Sequence, residues 1–128
     1  MRDRIESDLF HIEVMIERFS RIDEYLQKFY HLGCSLNDEI VIDALAFQLA
    51  QAGEQLAQDK LSEELKEQFP DINWREIKKN RNFITHSYVK KRNIVLVKMI
   101  EQDVPVYIEQ LQRVRSYLLS VLEDGVEQ

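Results

Sequence analysis

The sequence predicts an all-α fold, an up-and-down bundle of about four to five helices. Three observations predict it. The 128-residue chain holds three glycines and two prolines, so little in it interrupts a helix. Its apolar residues recur at steps of three and four. No stretch alternates apolar and polar residues over the length of a strand. One domain over residues 1–128 is expected at this length, and it can bury a core without disulfides or metals.

The first helix is expected over about residues 3–30. Ile5, Leu9, Ile12, Ile16, Phe19, Ile22, Leu26 and Phe29 form one apolar stripe, and Asp3, Glu6 and Asp8 suit the positive end of the helix dipole. Gly33 then reads as a C-terminal cap. A second helix opens near Ser35, with Ser35 and Asp38 resembling a capping box, and continues to about Ala57. Residues 40–50 are apolar almost all round, which places this helix centrally. Gly53 sits inside it at a cost of about 1 kcal/mol against Ala, and a close approach by another helix would explain it.

Residues 61–69 suggest a short helix closed by Pro70. Asn73 can cap a third principal helix over about residues 74–84, with Trp74 as a packing anchor. Lys78, Arg81 and Asn82 fall on one side of it, and Trp74, Ile77 and Ile84 roughly on another. Residues 85–93 read as irregular. A final helical region spans about residues 94–123, broken or re-capped at Asp103-Val104-Pro105, with Val106, Leu111, Val114, Leu118 and Val121 facing inward.

Charge is distributed unevenly. The net charge is -6, yet residues 75–92 hold seven Lys or Arg against one acid, Glu76. An anionic body with one cationic surface suits a phosphate-bearing ligand at a single site; a solvated basic face would carry the same charges. Cys34 is the single cysteine, which excludes an internal disulfide and a thiolate metal cluster. His11 and His31 lack a helical His partner and read as surface residues. Tyr25, Tyr30, Tyr107 and Tyr117 read as core or interface. No metal or other cofactor is expected. No apolar run is long enough to span a bilayer and no signal peptide is evident, so a reducing cytoplasm is the expected compartment.

Within the basic stretch lies Arg81-Asn82-Phe83-Ile84-Thr85-His86-Ser87-Tyr88, an Arg-x4-His-x-Tyr array. Arginine offers a fixed cation with a forked donor set for phosphate. Histidine moves protons near neutral pH. Together they suit cleavage of RNA through its own 2'-hydroxyl, which needs no metal. Arg81 would bind the phosphate and stabilise developing charge, and His86 would carry the proton. Asn82 could orient either, and Tyr88 could stack on a base. Lys78, Lys79, Lys90, Lys91 and Arg92 would hold the flanking backbone, and Glu54 could buttress Arg81. On one continuous helix, positions 81 and 86 lie about 140° apart. The motif therefore predicts a helix end between them, near Ile84. Two copies could in addition face two motifs across a cleft, each side contributing a phosphate clamp and a proton carrier.

The chain resembles the HepT-type toxins of the HEPN superfamily. The resemblance rests on Ala52-Gly53-Glu54-Gln55-Leu56, on Pro70-Asp71-Ile72-Asn73-Trp74-Arg75-Glu76-Ile77, on the Arg81–Tyr88 array and on Asp103-Val104-Pro105, in that order. It implies a HEPN-like bundle and a metal-independent endoribonuclease of a type VII-like toxin–antitoxin system, active as a homodimer through Arg81 and His86 with Asn82 beside them. It also implies a partner, an MntA-type minimal nucleotidyltransferase antitoxin that neutralises the toxin by transferring AMP to Tyr88. Ser87 stands where such toxins usually carry glycine, which puts catalytic efficiency in question. The alternative is a non-catalytic nucleotide-binding or companion subunit of a nucleotidyltransferase.

Overall fold

The computed structural model describes residues 2–36, 38–86 and 95–127. Its described residues are helices and connecting turns, with no strand among them. Helix α1 spans Arg2–His31, α2 Glu39–Glu54, α3 Glu63–Gln68, α4 Trp74–His86 and α5 Val104–Glu127. A 3₁₀ turn, Ala57–Asp59, joins α2 to α3, and a π-helical turn, Met99–Asp103, leads into α5. The expected helical bundle is thus the observed architecture.

Helix α1 buries Ile12, Met15, Phe19 and Ile22, while Ile5, Leu9, Ile16, Leu26 and Phe29 pack around them half-buried. It ends where expected. Gly33 adopts φ +82, its N–H donates to the Tyr30 carbonyl at 3.0 Å, and the Cys34 N–H donates to Phe29 at 2.9 Å. That pair of bonds is a Schellman cap, which needs a left-handed residue at this position.

Helix α2 is central, packed between α1 and α4. Val41, Ile42, Leu45, Ala46, Leu49 and Ala52 are buried. Its outer side is not: Ile40 and Phe47 are more than half exposed. The start differs from expectation as well. Asp38 is itself the N-cap, its carboxylate accepting from the Ile40 N–H at 3.0 Å, in place of a Ser35–Asp38 box. The helix ends at Glu54, before Ala57.

Ser62 caps α3, its Oγ accepting from the Leu65 N–H at 3.2 Å. Asn73 caps α4: its Oδ1 accepts from the Glu76 N–H at 3.0 Å, and its Nδ2 donates to the Glu76 carboxylate at 3.1 Å. Trp74 anchors the start of α4, donating its indole N–H to the Phe69 carbonyl at 3.1 Å.

Pro105 does not break the last helix. The Val104 N–H bonds back to Met99, five residues away, so the turn before the proline is widened. That widening relieves the clash a proline ring makes with the carbonyl four residues earlier. Leu111, Val114 and Leu118 are buried, as expected. Val106 is half exposed, and Tyr107 takes the inward place instead, its ring 5.5 Å from Phe19. Counting back four from Leu111 gives 107, so the phase of the stripe already excluded 106.

Candidate active site

Helices α2 and α4 meet at Gly53. A Cβ built on Gly53 would lie 2.8 Å from Arg81 Cβ, 3.0 Å from the Ile77 carbonyl oxygen and 3.2 Å from the Arg81 nitrogen. Only the absence of a side chain allows α4 this close. The close approach inferred from a helical glycine is therefore real, and its neighbour is Arg81.

The next residue uses that proximity. Glu54 Oε2 pairs with Arg81 Nε, and Glu54 Oε1 with Lys60 Nζ at 3.4 Å. All three side chains keep between 30% and 39% of their surface exposed, so the cluster faces solvent. Burial pushes the Glu54 carboxyl up, but the hydrogen bonds from Arg81 and then Lys60 outweigh it and hold the group below the usual carboxylate range. Glu54 and Arg81 are thus paired, a contact the sequence reading had raised. Lys60 is a member that sequence reasoning missed.

Lys60 owes its place to an unusual turn. Gln58 and Asp59 both have left-handed backbones, φ 54 and 56. Neither is glycine, and each such residue costs about 1–3 kcal/mol unless its surroundings impose it. The surroundings do: Leu56, Ala57, Leu61 and Ser62 on either side are buried. Asp8 of α1 fixes the far end, accepting from the Ser62 N–H at 2.9 Å and from its hydroxyl at 2.6 Å. In the sequence, Asp8 reads only as an acid that complements the helix dipole. It is 3% exposed and belongs to the fold's interior.

On α4, Lys78 and Lys79 are exposed. Asn80, between Lys79 and Arg81, is buried, and its Nδ2 finds no hydrogen-bond acceptor among the described residues. Behind the helix, Tyr107 donates its hydroxyl to Glu76 Oε1 at 2.5 Å. Burial, and next the Glu76 carboxylate, push this phenol well above its ordinary range, so it stays protonated and keeps donating.

One expectation fails. Helix α4 does not end near Ile84; it continues through Thr85 to His86. Positions 81 and 86 therefore sit about 140° apart around one helix, while 82 and 86, four apart, share a side. For Asn82 and His86 the backbone alone is described. Tyr88, Lys90, Lys91 and Arg92 lie outside the described residues.

Among the described residues no group of His, Cys, Asp and Glu could hold a metal ion, and no helix is long and apolar enough to cross a membrane.

A family model described as "Ribonuclease HepT-like" matches residues 15–114. Those residues run from the middle of α1 to the middle of α5 and include the whole Gly53–Glu54–Lys60–Arg81 cluster. Neither the curated proteins nor the solved structures contain a match to the chain.

Proposed function

Because the chain belongs to the HepT-like ribonuclease family, we propose that it is a metal-independent endoribonuclease toxin working through Arg81 and His86. The observation that carries this reading is the guanidinium on Glu54. A carboxylate on Nε orients the fork and leaves its outer edge, with the Nη donors, for a phosphate. The RNA supplies the nucleophile. Its 2'-oxygen attacks phosphorus, a 2',3'-cyclic phosphate forms, and the 5'-oxygen leaves with a proton. His86 takes the first proton or delivers the second, and Arg81 stabilises the charge gained by the phosphoryl oxygens.

The unbroken helix favours a site shared between two copies. Positions 81 and 86 of one α4 lie about 140° apart around the helix axis, so a two-fold cleft could bring the arginine of one copy to the histidine of the other. The exposed apolar side of α2 supports the same arrangement. Ile40 and Phe47 are fourteen and seven residues before Glu54, hence on its stripe, so a second copy seated there would lie along the side of α2 that carries Glu54.

The cognate MntA-type nucleotidyltransferase would silence the enzyme by adding AMP to Tyr88. The added phosphate would compete for Arg81 and repel the RNA backbone.

Purified, unmodified protein should cleave RNA, and His86→Ala and Arg81→Ala should each reduce cleavage by about 10²-fold or more without unfolding. Mixing these two inactive variants should restore part of the activity if the site is shared. Cleavage by His86→Ala at the wild-type rate refutes the reading. Co-expression with the nucleotidyltransferase should add AMP-sized increments to the intact mass, absent in Tyr88→Phe.

A further inference from the structure

We infer that Lys60 is a second phosphate-binding residue of this site, gripping the RNA backbone beside the phosphate held by Arg81. The inference rests on the RNA-cleaving reading above and extends it to a residue outside the basic segment, 21 positions before Arg81 in the chain.

Three observations carry it. First, Lys60 and Arg81 come from different elements yet share one carboxylate. Lys60 meets one oxygen of that carboxylate and Arg81 the other. Two cations on one anion leave a net positive charge, which selects an anionic ligand. Second, the Lys60 contact is long, 3.4 Å, while Arg81 is held tightly by the other oxygen. An ammonium has three donors, so Lys60 can turn toward a phosphate while Arg81 stays oriented. Lys28 has an equally long contact, 3.4 Å, but it and Lys66 are each paired along their own helix, at i,i+4 and i,i+3, with no second cation paired to the same carboxylate among the described residues. Third, the turn that presents Lys60 is imposed. Two successive left-handed residues precede it, buried residues flank it, and Asp8 clamps Ser62 two positions later. Strain of this kind marks positions where the backbone is held to place a side chain. Asp59 beside it forms no ion pair with Lys60 among the described residues.

The bland alternative is that Lys60 serves only to pair with Glu54. The salt dependence of binding separates the two. A lysine that neutralises a phosphate releases a counterion from single-stranded RNA, worth about 0.7 in the slope of log affinity against log salt. A lysine that merely supports Glu54 contributes nothing to that slope.

The experiment measures binding of a short, fully 2'-O-methylated RNA, which cannot be cleaved, by full-length wild type, Lys60→Ala and Lys60→Arg over a range of salt. Lys60→Ala should weaken binding about 5-fold at low salt, equally for different base sequences, and make the slope shallower by about 0.7, with Lys60→Arg restoring it. A wild-type slope in Lys60→Ala overturns the assignment, whatever the change in affinity. In that case cleavage of unmodified RNA by the wild type leaves the nuclease reading standing. Wild-type protein that neither binds nor cleaves RNA sinks both.

Discussion

Asp8 and Glu54 are two carboxylates on either side of the same turn, held in opposite ways. Asp8 is buried and takes two short hydrogen bonds from one serine, a backbone N–H and a hydroxyl. Glu54 is a third exposed and takes two cations, Arg81 and Lys60. Fixed neutral donors lock Asp8 into the fold and leave it nothing to exchange. Cations at the surface can turn toward another anion, and on the proposed function Glu54 would hold such a site. The contrast separates an acid that keeps the turn in place from one that, on the proposed function, keeps the chemistry in place. It can be broken by mutation.

The largest effect belongs to Asp8. Asp8→Ala leaves the Ser62 N–H buried without an acceptor and frees the strained turn, so stability should fall by about 3 kcal/mol. Thermal unfolding should show it as a midpoint lowered by about 10 °C. A loss under 1 kcal/mol would mean the clamp is not what holds the turn.

Glu54→Gln should do the reverse. An exposed ion pair contributes about 0–1 kcal/mol, so unfolding should barely change. The loss should appear in cleavage, about 10- to 100-fold in kcat/KM, because a charge-assisted hydrogen bond that orients Arg81 is gone. If Glu54→Gln unfolds the protein instead, both carboxylates are structural and the comparison collapses.

Gly53→Ala stands between the two. The new methyl meets Arg81 Cβ and the Ile77 carbonyl, and backbone can yield less than a side-chain tip. Overpacking costs about 1–3 kcal/mol, of which better helix propensity returns about 1 kcal/mol. A net loss of about 1 kcal/mol by urea titration is expected, with a decline in cleavage as Arg81 is pushed off Glu54.

How far each carboxylate's role was legible in the sequence follows from how local its interactions are. The stripe of α1, the glycine cap after it, the Asn73 cap and the inward set Leu111, Val114 and Leu118 all depend on residues a few positions apart, and all were readable. Arg81 stood out because its neighbours in sequence are also basic. Asp8 did not, because its partner lies 54 residues away and nothing near it in the chain hints at burial. Lys60 was hidden by its turn: two left-handed non-glycine residues have no sequence signature, and they decide where it points. The length of α4 was misjudged for another reason. A bend was inferred from the chemistry wanted of Arg81 and His86 within one copy, while nothing between Ile84 and His86 breaks a helix.

A third carboxylate gives the smallest effect and a test of sign. Asp103, in the π-helical turn, is partly buried near Glu76, with Lys98 opposing. Burial first, and the Glu76 charge second, push its carboxyl above the ordinary range. Its folded pKa thus exceeds the unfolded one, so the fold favours the protonated acid. This contribution to stability is present at low pH and is lost as pH rises through the raised value. Glu54 has the opposite sign: its pairing adds stability above the ordinary carboxylate range and gives it up as pH falls through the lowered value. Asp103→Asn should therefore stabilise the protein at pH 7 by up to about 0.5 kcal/mol and lose that advantage in acid, where the wild-type residue is protonated. Urea midpoints at neutral and acid pH read this directly. Destabilisation by Asp103→Asn at pH 7 would show that the charged form is satisfied in place, and that Asp103 resembles Asp8 after all.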